Sequence, residues 1–71
     1  MTPQEFEYKW QLTHEQLCWL TRYKYRTVIS WFEANAKISD RVQLWLKDLD
    51  WILDQRGYQP GEIPDSFFLT R

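Results

Sequence analysis

The sequence predicts a small all-α single domain: a bundle of about four helices over residues 1–57, then a non-helical C-terminal tail over 58–71. Three observations predict it. Two capping-box patterns, Thr2-x-x-Glu5 and Thr13-x-x-Gln16, announce helix starts close together near the beginning of the chain. From Val42 to Leu53 apolar residues recur with helical period. Turn-forming residues gather after Gly57, in QPGEIP. No repeat, low-complexity segment or linker divides the chain.

The first helix starts with Thr2 at the N-cap, Pro3 at N1 and Glu5 at N3, and ends near Gln11. Phe6 and Trp10 fall four apart, on one face. The second runs from His14 to about Thr21 and buries Leu17, Cys18 and Leu20. Leu12 and Leu17 stand where a hydrophobic staple needs them. A tight corner of a few residues follows. The third helix begins near Tyr25 and carries Val28, Ile29, Trp31 and Phe32, with Asn35 as a left-handed terminator. The fourth is the longest, capped by Ser39 or Asp40 and stopped at Gly57. Val42, Leu46, Leu49 and Leu53 form its core stripe, broadened by Trp45 and Ile52. Leu44 and Trp51 land on the opposite face, where either the folded-back tail or a dimer or other partner covers them. In the tail, Phe67, Phe68 and Leu69 dock onto the bundle or a neighbour.

A 71-residue chain has little core to work with, since a domain of this size buries only about 60% of its unfolded surface. Cys18 is the only cysteine, so no disulfide assists; it reads as a small core residue in a reducing compartment. Five Trp, four Tyr and four Phe compensate by burying a large area per residue. The chain shows no signal peptide, and its uncharged runs are too short to cross a bilayer, so a soluble, cytoplasmic protein is expected.

The net charge of −1 conceals a local asymmetry. Residues 1–20 carry Lys9 against Glu5, Glu7 and Glu15, a balance of −2. Residues 21–37 carry Arg22, Lys24, Arg26 and Lys37 against Glu33, a balance of +3. The remainder returns to −2. The basic segment coincides with RYKYRTVISWF, the corner and third helix.

Two short helices, a tight corner and a third helix with a basic start describe a helix-turn-helix. The stretch LTHEQLCWLTRYKYRTVISWF resembles the phage-repressor-like (Cro-type) helix-turn-helix family, whose pattern runs L-T-x-E-x-L-A-x-L-x-G-V-S-x-x-T-V-x-x-W. Leu12, Thr13, Glu15, Leu17, Leu20, Thr27, Val28 and Trp31 match it without a gap. Arg22 stands where the family favours Gly at a corner of positive φ, which an arginine adopts only at a cost. Lys24 replaces the usual Ser or Thr N-cap of the third helix, and with Arg22 it leads to the expectation of a differently shaped corner.

The resemblance implies a transcriptional regulator or accessory factor binding double-stranded DNA, with the third helix, near Tyr25 to Ala34, in the major groove. It turns Tyr25, Arg26, Ile29 and Ser30 toward bases; Arg26 suits guanine and Ile29 a thymine methyl. It brings His14 and Lys24 near the phosphate backbone, with Arg22 and Tyr23 as further backbone contacts, though Tyr23 is core first. One such module offers little contact area, so a homodimer or a protein partner is expected. Trp19 and Phe32 occupy positions the family usually exposes. Either the first helix and the tail cover them, or with Leu44 and Trp51 they form a partner interface. That second possibility is a protein-interaction adaptor on a helix-turn-helix scaffold that no longer binds DNA.

Catalysis is not expected. No nucleophile–base pairing or Gly-rich phosphate loop is present, and Asp48, Asp50 and Asp54 read as the solvated flank of a helix. His14 is the only histidine, so no metal set forms around it. No cofactor, small-molecule substrate or membrane is implied.

Overall fold

Five helices follow one another in a computed structural model that describes residues 1–68: α1 (Pro3–Trp10), α2 (His14–Thr21), α3 (Tyr25–Ser30), α4 (Asp40–Gln55) and α5 (Asp65–Phe68). Among the described residues there is no strand, and no helix is long and apolar enough to cross a membrane. The domain is all-α, as its sequence predicts. Leu69 lies outside the described residues.

Local chemistry sets most boundaries. The Thr2 hydroxyl accepts from the Glu5 amide while the Glu5 carboxylate accepts from the Thr2 amide, and Thr13 and Gln16 repeat the arrangement. Each such cap contributes about 1 kcal/mol, a real share of the stability of an eight-residue helix. Ser39, not Asp40, caps α4, its hydroxyl accepting from the Val42 amide at 3.3 Å. Gly57, at φ +78°, turns the chain away afterwards.

Phe6 and Trp10 of α1, Leu17 and Leu20 of α2, Val28 and Trp31 around α3, and the α4 stripe Val42, Leu46, Leu49 and Leu53 form the core. Burying these side chains is the main driving force, at about 1.5–3 kcal/mol for a fully buried Leu, Val or Phe. Polar ties fix how the elements sit. The Trp10 indole, 1% exposed, donates to Asp50 Oδ1 at 2.8 Å, and Lys9 reaches the same carboxylate, locking α1 to α4. The Trp45 indole donates to the Thr21 carbonyl at 2.9 Å, fastening α4 to the end of α2. Buried Thr21 is satisfied in turn by donating to the Leu17 carbonyl.

Three expectations are corrected. The third helix ends at Ser30 rather than near Ala34, and the residue after it is not left-handed Asn35 but Trp31 in the right-handed region. In a longer helix the Trp31 carbonyl would accept from Asn35; instead it accepts from the Gln4 side chain of α1 at 3.2 Å. Short i→i+3 turns follow, through Phe32 and Glu33. The tail, expected to be non-helical, forms the single turn α5 and buries Phe68 against the core. Its path crosses α1 and α2, with the Gly61 amide donating to the Trp10 carbonyl. The tail therefore does not cover Leu44 and Trp51, which remain 61% and 63% exposed.

Candidate nucleic-acid interface

The corner between α2 and α3 is built on Arg22, and here an expectation is corrected: the corner is not reshaped to spare the arginine, which itself takes the left-handed conformation (φ 70°, ψ 15°). A non-glycine residue there costs about 1 kcal/mol or more. The Arg22 amide donates to the Cys18 carbonyl, and its guanidinium folds back to the Trp19 carbonyl at the end of α2. Tyr23, the next residue, is half-buried and meets Trp31 edge-on at 5.2 Å, in keeping with a core role. Its carbonyl accepts from the Cys18 thiol at 2.9 Å. Burial, with Glu15 adding to it, raises the pKa of that thiol.

Lys24 precedes α3 in extended conformation, and its side chain makes no cap for the helix, as expected of a lysine there. α3 packs on α2 through buried Val28. Lys24, Tyr25 and Arg26 are exposed and adjoin one another at the start of α3, and Lys24 and Arg26 make no ion pair among the described residues. At 1.5 Å per residue a six-residue helix is about 9 Å long, enough to address only a few base pairs.

The other expected residues are placed differently. Ile29 is half-buried. The Ser30 hydroxyl donates to the Thr27 carbonyl at 2.6 Å, so it can offer a ligand only its lone pairs. His14 is engaged on two sides. Its Nδ1 lies 2.7 Å from Glu7 Oε2, and since a carboxylate only accepts, that nitrogen carries a hydrogen. Its ring also meets that of Phe32, tilted by 36°, at 4.2 Å between centroids. Only a doubly protonated His14 would have a hydrogen to donate to phosphate. Phe32 is half-buried, with its ring against His14 of α2. Trp19 stays 44% exposed. Sequence reasoning missed Glu7 as the partner of His14, because the two face each other across a helix break rather than along one helix face. It also missed Tyr8, an exposed aromatic off the Phe6–Trp10 stripe.

The structure therefore brings Lys24, Tyr25 and Arg26 together, with Arg22 behind them, and leaves His14, Ile29 and Ser30 partly committed to the protein itself. Comparison with protein-family models, characterised proteins and solved structures returned no match.

Proposed function

We propose that this chain is a small DNA-binding regulator or accessory factor, a member of the phage-repressor-like helix-turn-helix class, with α3 as its recognition helix. The observation that carries the proposal is the exposed run Lys24-Tyr25-Arg26, whose cations no carboxylate among the described residues neutralises, on a helix that packs inward against α2. Arg26 is the base-reading side chain in this scheme and Lys24 a phosphate contact. Arg22 orients the pair by closing the corner. Ser30 adds an acceptor, and His14 joins only when protonated. No catalytic step is assigned to the chain.

The test is fluorescence anisotropy on a labelled mixed-sequence duplex between about 50 and 200 mM salt. Binding at low salt that is lost in Lys24→Ala plus Arg26→Ala supports the proposal. No binding at low salt, or binding indifferent to both substitutions, refutes it.

A protein-interaction adaptor is the second reading, favoured by the exposure of Trp19, Leu44 and Trp51. It requires that Trp19→Ala or Trp51→Ala abolish assembly with a partner while the helical circular dichroism is kept. Assembly that survives both substitutions removes it.

A further inference from the structure

We propose that the outer ridge of α4 is a self-complementary interface for a second copy of this chain, centred on Leu44 and pairing the two α4 helices antiparallel. This goes beyond the DNA-binding reading and does not depend on it.

Leu44 is 61% exposed and stands between two open grooves. One, of about 560 Å³, lies toward the corner and is lined by Arg41 and Asp48; the other, of about 390 Å³, lies toward Met1 and is lined by Asp40 and Lys47. All four charged side chains are exposed, and none makes an ion pair among the described residues.

Helix geometry gives this pattern its meaning. Residues seven apart lie almost above one another, so Asp40 and Lys47 share one flank of the ridge and Arg41 and Asp48 share the other. The order of charge is reversed between flanks, acidic then basic on one and basic then acidic on the other. In an isologous pair, residue i meets j and j meets i. Two antiparallel helices related by a two-fold axis also keep each flank facing its own copy. With the axis at Leu44, residues whose numbers sum to about 88 come level, within one residue's rise of 1.5 Å. Asp40 then meets Lys47 of the second copy, Arg41 meets its Asp48, and both pairs recur by symmetry. Four opposite-charge contacts surround the Leu44–Leu44 centre, and no like charges meet. A parallel pairing in register instead sets opposite flanks together, Asp40 against Arg41 and Lys47 against Asp48, so the double swap of Arg41 and Asp48 distinguishes the two: it restores the antiparallel pair and sets like charges together in the parallel one.

The experiment is sedimentation equilibrium of the full chain from about 1 µM to 1 mM, the affinity range of a small interface. Wild type, Arg41→Asp, Asp48→Arg and the double swap are run, with circular dichroism confirming the fold of each. The expected pattern is a dimer for wild type, a loss of affinity of at least tenfold for each single reversal, and recovery in the double swap. An equimolar mixture of the two single variants forms a heterodimer, because one then carries two acids and the other two bases on that flank. A wild type that stays monomeric at 1 mM overturns the proposal. So does a dimer unmoved by either reversal, or a mixture that fails to associate.

Discussion

Removing the Asp50 carboxylate isolates one buried hydrogen bond and asks how much it holds α1 in place. In Asp50→Ala the Trp10 indole N–H, 1% exposed and bonded at 2.8 Å, is left without an acceptor. An orphaned buried donor costs about 1–3 kcal/mol. The Lys9–Asp50 pair is lost as well, but the lysine side chain is 41% exposed, so that loss adds about 0–1 kcal/mol. A total of about 2 kcal/mol lowers the melting temperature of a domain this small by about 8–16 °C. The assay is urea denaturation followed by far-ultraviolet circular dichroism, since five tryptophans blur a fluorescence signal. Trp10→Phe supplies the second arm of a double-mutant cycle, because phenylalanine has no donor to orphan. In that background Asp50→Ala should cost under about 1 kcal/mol, the value of the exposed ion pair alone. Asp50→Asn keeps an acceptor and should spare most of the stability of the wild type. Equal costs for Asp50→Ala in the Trp10 and Phe backgrounds would show that the indole bond contributes nothing.

Other outcomes follow from the same structure. With Lys24 as the phosphate contact, log affinity for duplex DNA should fall with log salt at a slope of about −0.9, about 3.5-fold between 50 and 200 mM, and the slope should flatten in Lys24→Ala. Gly57→Ala and Gly61→Ala both place a side chain at φ +78°, but only at Gly61 would the new Cβ meet Gln11 Oε1, at 2.9 Å. Chemical denaturation should show each costing about 1 kcal/mol for the backbone, with Gly61→Ala the larger. The carboxylates of Asp50, first, and Asp54 raise the Lys9 pKa. A raised folded-state value means the stabilisation is fully present below the ordinary lysine range and is lost as pH rises through the raised value. The stability difference between wild type and Lys9→Met should therefore shrink in strong alkali. Finally, the half-buried, raised thiol of Cys18 should react with a disulfide reagent at pH 8 more slowly than in the urea-unfolded chain.

What could be foreseen from the chain alone was decided locally. Thr2, Thr13 and Ser39 place their helix starts through side chains that reach only three residues ahead. The α4 stripe needs only its period, whereas the left-handed Arg22 was not foreseen, since a differently shaped corner was expected to spare the arginine that conformation. Each other feature that escaped depends on a partner distant in the chain or across a helix break. Just past the end of α3, Gln4 donates to a carbonyl 27 positions away in the chain. Glu7 and Phe32 converge on His14 from opposite directions, which no single-helix projection reveals. The tail chose the α1–α2 surface over the α4 ridge because the Trp10 carbonyl was available to Gly61 and the core accepted Phe68. The candidate site divides the same way. The cations at Lys24 and Arg26 were legible as charge, whereas the engagement of Ser30 and His14 was not.

The indole of Trp45 gives α4 a grip on the corner. It holds the Thr21 carbonyl, one residue before Arg22, while the groove beside Leu44 is walled by Arg22 and Tyr23 on one side and by Arg41 and Asp48 on the other. The corner is thus a joint with one jaw set in α4. A partner seated on the ridge would therefore border the residues that lead into α3. Linked equilibria are reciprocal, so a ligand on α3 that prefers one setting of this joint changes the affinity of the ridge for its partner by the same factor that the partner changes the affinity of α3.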